Sequence, residues 1–287
     1  MAKDGVAGPG TAGTGDGTVK GDRAGPRSRR GLLRDAALLA LGAGIGTAGV
    51  GELADLTGRR LVLRGGAAAA TSAGPHGVRG RGELVMTWEV KTELPLVALT
   101  FDDGPRPQWT TRVLDVLDEF AVPATFFVVG RRLRKYASVI DGRLDRHEIG
   151  NHTWNHLDLA RRNDVQSRDD LARAHEAIVD IVGVPPVLFR PPYGHIGGAA
   201  AQAAAELGYQ VILWSRKMCE ARYTTREQVA AVLRQTTPGA IWLAHDTGAK
   251  DRLVSIRGLP AMITGLRERG FEFVTVSHLM AKAELAV

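Results

Sequence analysis

One cysteine, Cys219, stands in a chain of 287 residues. No intrachain disulfide framework can form, so the fold rests on its apolar core. That suits a chain that folds before export, and equally one that stays in the cytosol. Aromatic residues are sparse at 6%, and no basic run is interleaved with them, which excludes a nucleic-acid-binding stripe. Long apolar runs are also missing. The uncharged stretch Ala36–Gly51 is only mildly apolar, and its 16 residues fall short of a spanning helix, which needs roughly 20. Positive charge is modest outside the N-terminus. Seven Lys/Arg against four Asp in residues 1–35 supply +3 of the net +6. The remainder is nearly balanced and leaves room for an anionic polymer as partner. No internal repeat stands out.

What is present begins with a tail. Residues 1–27 are rich in Gly, Thr, Ala and Asp and read as disordered. Paired Arg29 and Arg30, then Leu32, Leu33 and Arg34, lead into the mildly apolar stretch. This arrangement resembles a twin-arginine export signal, the route that carries folded proteins. The small residues of Gly65–Gly74 offer a cleavage site, and an uncleaved segment would act as a membrane anchor. The expected organisation is a tail over 1–74, a linker leading in over 75–90, and one folded domain over 91–287.

From about Leu84, β-branched runs alternate with helical spacing. Strands are expected at Val97–Phe101, Pro123–Gly130, His147–His152, Pro186–Pro192, Tyr209–Trp214, Gly239–Asp246 and Phe271–Val276. Helical patterns separate them, as at Val165–Val182, where Leu171, Ala174, Ile178 and Ile181 share a face. Seven such alternations predict an α/β fold of parallel strands joined by helices. At about 190 residues the domain is small for a full eight-fold barrel, typically about 250 residues.

The polar residues fall at strand ends. Asp102/Asp103, His152/His156, Arg190, Glu220 and His245 each end a predicted strand or lie just beyond it. In parallel α/β folds those ends share one face and build the active site. "HTWNH" sets His152 and His156 four apart, which on a helical turn would aim both imidazoles at one cation. One of the two aspartates would be the third ligand, and a water would complete the site. The cation would acidify that water and polarise a carbonyl. The other aspartate would then be free to act as general base. His245 is a candidate general acid. Arg190 is placed to orient the base carboxylate through a bidentate pair. The stiff Pro191–Pro192 turn presents the Tyr193 backbone N–H for an oxyanion. Together these residues point to metal-assisted hydrolysis of a carbonyl compound.

"TFDDGP", "HTWNH", "RPPYG" and "LAH", in that order and over about Leu96–Leu279, resemble the polysaccharide deacetylases, carbohydrate esterase family 4 with the NodB homology domain. The resemblance implies a distorted, TIM-barrel-like (β/α) barrel with about seven parallel strands forming a single catalytic domain. It implies a divalent metal, zinc above all, with cobalt, nickel or manganese as substitutes. By position, Asp102 would be the base, and Asp103, His152 and His156 the metal ligands. Arg190 would tune Asp102, Tyr193 would supply its N–H, and His245 would be the acid. Leu243 would line the pocket for the acetyl methyl group, and Trp214 would contact substrate.

The "WSRKMCEAR" segment departs from the family pattern. Trp214 is kept, but Lys217 stands where an Asp is usual, Glu220 replaces a second Asp that orients the acid histidine, and Ala221 replaces its Trp. This implies changed substrate preference with the chemistry retained. The expected function is removal of N-acetyl or O-acetyl groups from a cell-wall polysaccharide, peptidoglycan N-acetylglucosamine first, releasing acetate. Chitin oligomers and acetylated xylan are the alternative substrates, and a non-catalytic carbohydrate-binding module is the alternative class. The protein is expected to be an exported, wall-associated monomer, held at the membrane if the N-terminal segment stays attached.

Overall fold

Leu96 to Asp102 is an unbroken run of buried residues, and it forms the strand on which the site is built. The computed structural model describes residues 60–64, 81–218 and 222–285, all within one compact unit, Gly51–Val287. The expected export signal and cleavage site lie outside the described residues, as do Cys219, Glu220 and Ala221. Among the described residues, no helix is long and apolar enough to cross a membrane.

The strands are β1 (Arg60–Arg64), β2 (Arg81–Thr87), β3 (Leu96–Asp102), β4 (Thr125–Val128), β5 (Glu148–Asn151), β6 (Leu188–Phe189), β7 (Gln210–Ile212), β8 (Arg216–Lys217), β9 (Ile241–His245) and β10 (Glu272–Val274). They follow the order β1-β2-β7-β6-β5-β4-β3-β9-β8, with β10 added on β3. β1 runs antiparallel to β2 and every other pairing is parallel. The parallel path from β2 to β8 contains eight strands and curls into a half-barrel with helices around it. About seven were expected. The segment expected as a linker carries β2, whose Leu84 and Met86 are buried, and the two-residue β8 is too short to show a pattern. The closing strand stops at Val274, and Val276 begins a helix capped by Thr275.

Side-chain alternation sorts the strands into two layers. Val97, Leu99 and Phe101 of β3 face outward and pack on Val113, Leu114 and Leu117 of α1 (Thr110–Glu119). Leu96 and Ala98 face inward with Phe127, Leu188, Ile212 and Ile241. Thr100 and Asp102 continue the inward row toward the C-terminal rim. The other helices are α2 (Gly130–Tyr136), α3 (Asp164–Val182), α4 (Gly198–Glu206), α5 (Thr225–Gln235), α6 (Leu253–Glu268) and α7 (Val276–Glu284). α3 opens on a capping box of Asn163 and Gln166 and closes on Gly183 at φ 81°, a left-handed position that glycine takes without strain.

Candidate active site

Neighbouring residues of an extended strand point to opposite faces, so Asp102 and Asp103 should diverge. They do not, because Asp103, the first residue after β3, adopts the left-handed region at φ 81°. That turn brings Asp102 Oδ2 within 3.8 Å and Asp103 Oδ1 within 3.6 Å of the same nitrogen, His152 Nε2. His156 Nε2 lies 2.9 Å from Asp103 Oδ1. Asp103, Thr153, His156 and Tyr193 all have positive φ, so left-handed non-glycine backbone concentrates at this one place.

The histidines do not share a helical turn, which corrects the sequence expectation. "HTWNH" is an irregular loop after β5, bent by Thr153 at φ 66° and His156 at φ 60°. Buried side chains pin it. Asn151 Oδ1 accepts from the Thr153 N–H at 2.7 Å, and Thr153 Oγ1 accepts from the His156 N–H at 3.0 Å. Asp170 of α3 accepts from the Asn155 N–H at 3.2 Å and from its side-chain amide at 2.7 Å. Trp154 fills the space over Gly130, where a Cβ would stand 2.7 Å from the indole. His152 Nδ1 sits 2.6 Å from the Arg190 carbonyl, which can only accept, so this nitrogen carries the proton. Burial holds His152 below its ordinary pKa and hence neutral. The Nε2 lone pair is left facing the aspartates.

Arg190 is fully buried, not solvated. Its Nη1 donates to Asp102 Oδ1 and to Thr100 Oγ1, each at 2.7 Å. Nε donates to the Ile212 carbonyl at 3.0 Å and Nη2 to the Leu213 carbonyl at 2.7 Å. The pair with Asp102 therefore uses one nitrogen rather than the expected bidentate fork, because backbone carbonyls take the other donors. Tyr193 follows Pro192 at φ 62°, and the turn's own bonds run from Gly194 and His195, so the Tyr193 N–H is not used within it. His245 ends β9 directly opposite Asp102 in register, and buried Leu243 lies two residues below it, opposite Thr100. Trp214 sits under the Tyr193 turn, 3.0 Å from where a Gly194 Cβ would be. Lys217 is exposed on β8 beside Leu243.

The Asp103, His152 and His156 ligand atoms lie within 4.8 Å of one another. Asp103 Oδ1 is buried and accepts no hydrogen bond among the described residues, even with His156 close by. An orphaned carboxylate oxygen facing a neutral imidazole lone pair is what a cation would reconcile, and two nitrogens plus one carboxylate suit a divalent ion such as zinc. Burial alone would raise the Asp103 pKa, but His156 and Arg252 oppose it and hold the carboxyl well below the usual range.

Sequence reasoning missed two neighbours. Asp246, next to His245, is buried, accepts from Thr110 Oγ1 at 2.7 Å, and is pushed up to about 7 by burial, with Asp103 and Asp102 adding repulsion. A Cβ on Gly104 would stand 2.1 Å from its carboxylate, so glycine is required there. Arg252 Nη1 donates to Asp103 Oδ2 at 2.8 Å and to the Thr247 carbonyl at 2.8 Å. It occupies the far oxygen of Asp103 and turns Oδ1 toward the histidines. Arg252→Gln is expected to weaken divalent-cation affinity by about 10- to 100-fold. Competition against a chelating indicator would measure this, and a change under about twofold would remove Arg252 from the site.

The family model described as polysaccharide deacetylase matches residues 89–212. A peptidoglycan-N-acetylglucosamine deacetylase of Bacillus cereus is 37% identical over 199 residues, covering 68% of this chain and 92% of the relative. The crystal structure of a peptidoglycan N-acetylglucosamine deacetylase, in complex with a naphthalenyl N-oxidanyl-benzamide, superposes with a TM-score of 0.65 at 29% identity, covering 68% of this chain and 92% of that one. A family 4 acetyl xylan esterase from Clostridium thermocellum, in complex with a cobalt ion, gives 0.59 at 34% identity, covering 65% of this chain and 90% of that one. A relative of this identity, spanned over nearly its whole length by a chain with this fold, makes the present protein a member of the polysaccharide deacetylase family.

Proposed function

We propose that the protein is an exported, metal-dependent deacetylase that hydrolyses the N-acetyl groups of peptidoglycan N-acetylglucosamine and releases acetate. The observation that carries this is the orphaned Asp103 Oδ1 between two histidines, beside an Asp102 that is held separately by a buried arginine. The 37% identity to the Bacillus cereus enzyme favours peptidoglycan over xylan.

Asp103, His152 and His156 would hold the cation, which when bound polarises the substrate carbonyl and acidifies a water. Asp102, fixed by Arg190, takes the proton from the attacking water. The Tyr193 N–H donates to the carbonyl oxygen as charge builds on it. His245, across the strand pair from Asp102, returns a proton to the departing amine, leaving free acetate and a glucosamine nitrogen. Leu243 closes the floor where the acetyl methyl would sit.

The test is acetate release by the full chain, stripped with chelator and reloaded with zinc. Solubilised peptidoglycan, N-acetylglucosamine oligomers and acetylated xylan are offered side by side. Release is expected from peptidoglycan and absent with His152→Ala. Release from the His152→Ala variant at the unmodified rate would refute the metal site, and release from xylan alone would refute the substrate.

A further inference from the structure

Arg106, Arg131, Arg132, Lys135 and Tyr136 line one open pocket of about 340 Å³. The topology explains why they meet. β3 and β4 are neighbours, so the loop after β3 and α2 after β4 rise side by side, tied by the Val129 N–H donating to the Gly104 carbonyl at 2.9 Å. Arg131 and Lys135 are four apart on α2 and share a face. Arg132 Nη1 donates to the backbone carbonyl of Asp103 at 2.5 Å, so the pocket adjoins the metal-ligand loop.

The charges around this pocket are unbalanced. Among the described residues none of the four cations forms an ion pair, whereas Arg134, on another face of the same helix, pairs with Asp180 at 2.8 Å. Arg106, Arg131 and Lys135 are exposed and Arg132 is half-buried. Asp103 and Asp246 partly offset the charge of Arg132, but Arg106, Arg131 and Lys135 repel each other around one pocket and create a field that attracts an anion. Lys135 also lies over the Tyr136 ring at 5.1 Å, which keeps it at the pocket.

We propose that this pocket is an acid-group subsite that binds a carboxylate carried by the substrate glycan beside the sugar being deacetylated. The proposal rests on the deacetylase reading above and sharpens it. Peptidoglycan offers carboxylates on its stem peptides, or on lactyl groups once the stems are removed. Chitin oligomers and the xylan backbone are neutral. Arg131 and Lys135 would thus select an acidic polymer, with arginine preferred for its planar fork.

The experiment compares the full chain with an Arg131→Glu/Lys135→Glu double variant, both residues being exposed and outside the catalytic group. Three glycans are used: peptidoglycan strands with stems, the same strands with stems cleaved off, and neutral N-acetylglucosamine oligomers. The expected result is a KM about tenfold higher on an acidic glycan, with kcat and the neutral oligomer unchanged. Whichever acidic glycan responds identifies the carboxylate. Equal loss on acidic and neutral glycans, or no loss on either acidic one, overturns the proposal. Retention on insoluble peptidoglycan against chitin, at low and high salt, is read in parallel without turnover. If the unmodified chain releases no acetate, the deacetylase reading fails, while salt-sensitive retention lost in the variant still supports the subsite. Equal retention of both proteins overturns it.

Discussion

Asp102→Asn is expected to lower kcat for acetate release by about 10²- to 10⁴-fold, the range of a lost general base, and to leave divalent-cation affinity nearly unchanged. The two adjacent acids have separate surroundings. Asp102 Oδ1 is committed to Arg190 at 2.7 Å, and its Oδ2 stands 3.8 Å from His152 Nε2. Asp103 belongs to the ligand cluster with both histidines. An amide at position 102 preserves volume and still accepts from Arg190 but cannot take a proton from water. Asp103→Asn should show the opposite pattern, losing cation affinity first. Competition titration and acetate release on both variants would check this. Loss of cation binding in Asp102→Asn would place Asp102 among the ligands, and unchanged turnover would place the base elsewhere. A non-catalytic carbohydrate module would hold polymer equally with either variant, a result that acetate release separates at once.

The strand ends that carry the candidate site were legible because each follows a short apolar run whose inward row continues into polar residues. Thr100 and Asp102 on β3, and Leu243 and His245 on β9, keep the alternation that a strand imposes. The histidine loop was legible in spacing and misread in conformation. Two left-handed residues and the buried Asn151 and Asp170 bring His152 and His156 together, and no periodicity encodes such pinning. Strand β2 was hidden because its first residues, Arg81 and Gly82, continue the Gly/Arg-rich composition of the segment before them. Arg252 was invisible for a different reason. It ends a 3-10 turn, Lys250–Arg252, that leads into α6, and it reaches Asp103 only through tertiary folding, across 149 positions in sequence. Asp246 was the exception. It sits beside His245 in "LAHD", and a second acid following a strand-end histidine was a signal available to be weighed.

Arg190→Met is expected to destabilise the protein by about 3–5 kcal/mol, the penalty for removing one partner of a buried pair. That is a large share of a typical domain stability of about 5–15 kcal/mol, and for a domain of this size it is worth roughly 10 °C in Tm. The penalty arises because the guanidinium is fully enclosed and serves four acceptors at once: Asp102, Thr100 and the carbonyls of Ile212 and Leu213. It also lies 4.1 Å above the Phe127 ring, so truncation removes packing as well as charge. Burial pulls the Arg190 pKa down and Asp102 pushes it back up, so each charge depends on the other. The loss should therefore be non-additive. Asp102→Leu introduced with Arg190→Met removes both charges and should recover most of the stability while leaving activity absent. Arg190→Lys retains the charge but has no planar fork to span β3 and β7, and should recover only part. Thermal melts of the four proteins, with acetate release measured alongside, would check the cycle. A double variant as unstable as Arg190→Met would mean that the carbonyls of Ile212 and Leu213, rather than Asp102, set the demand for arginine here. A double variant near the unmodified Tm would mean that the buried pair adds no net stability and serves instead to hold a base carboxylate rigid inside the half-barrel.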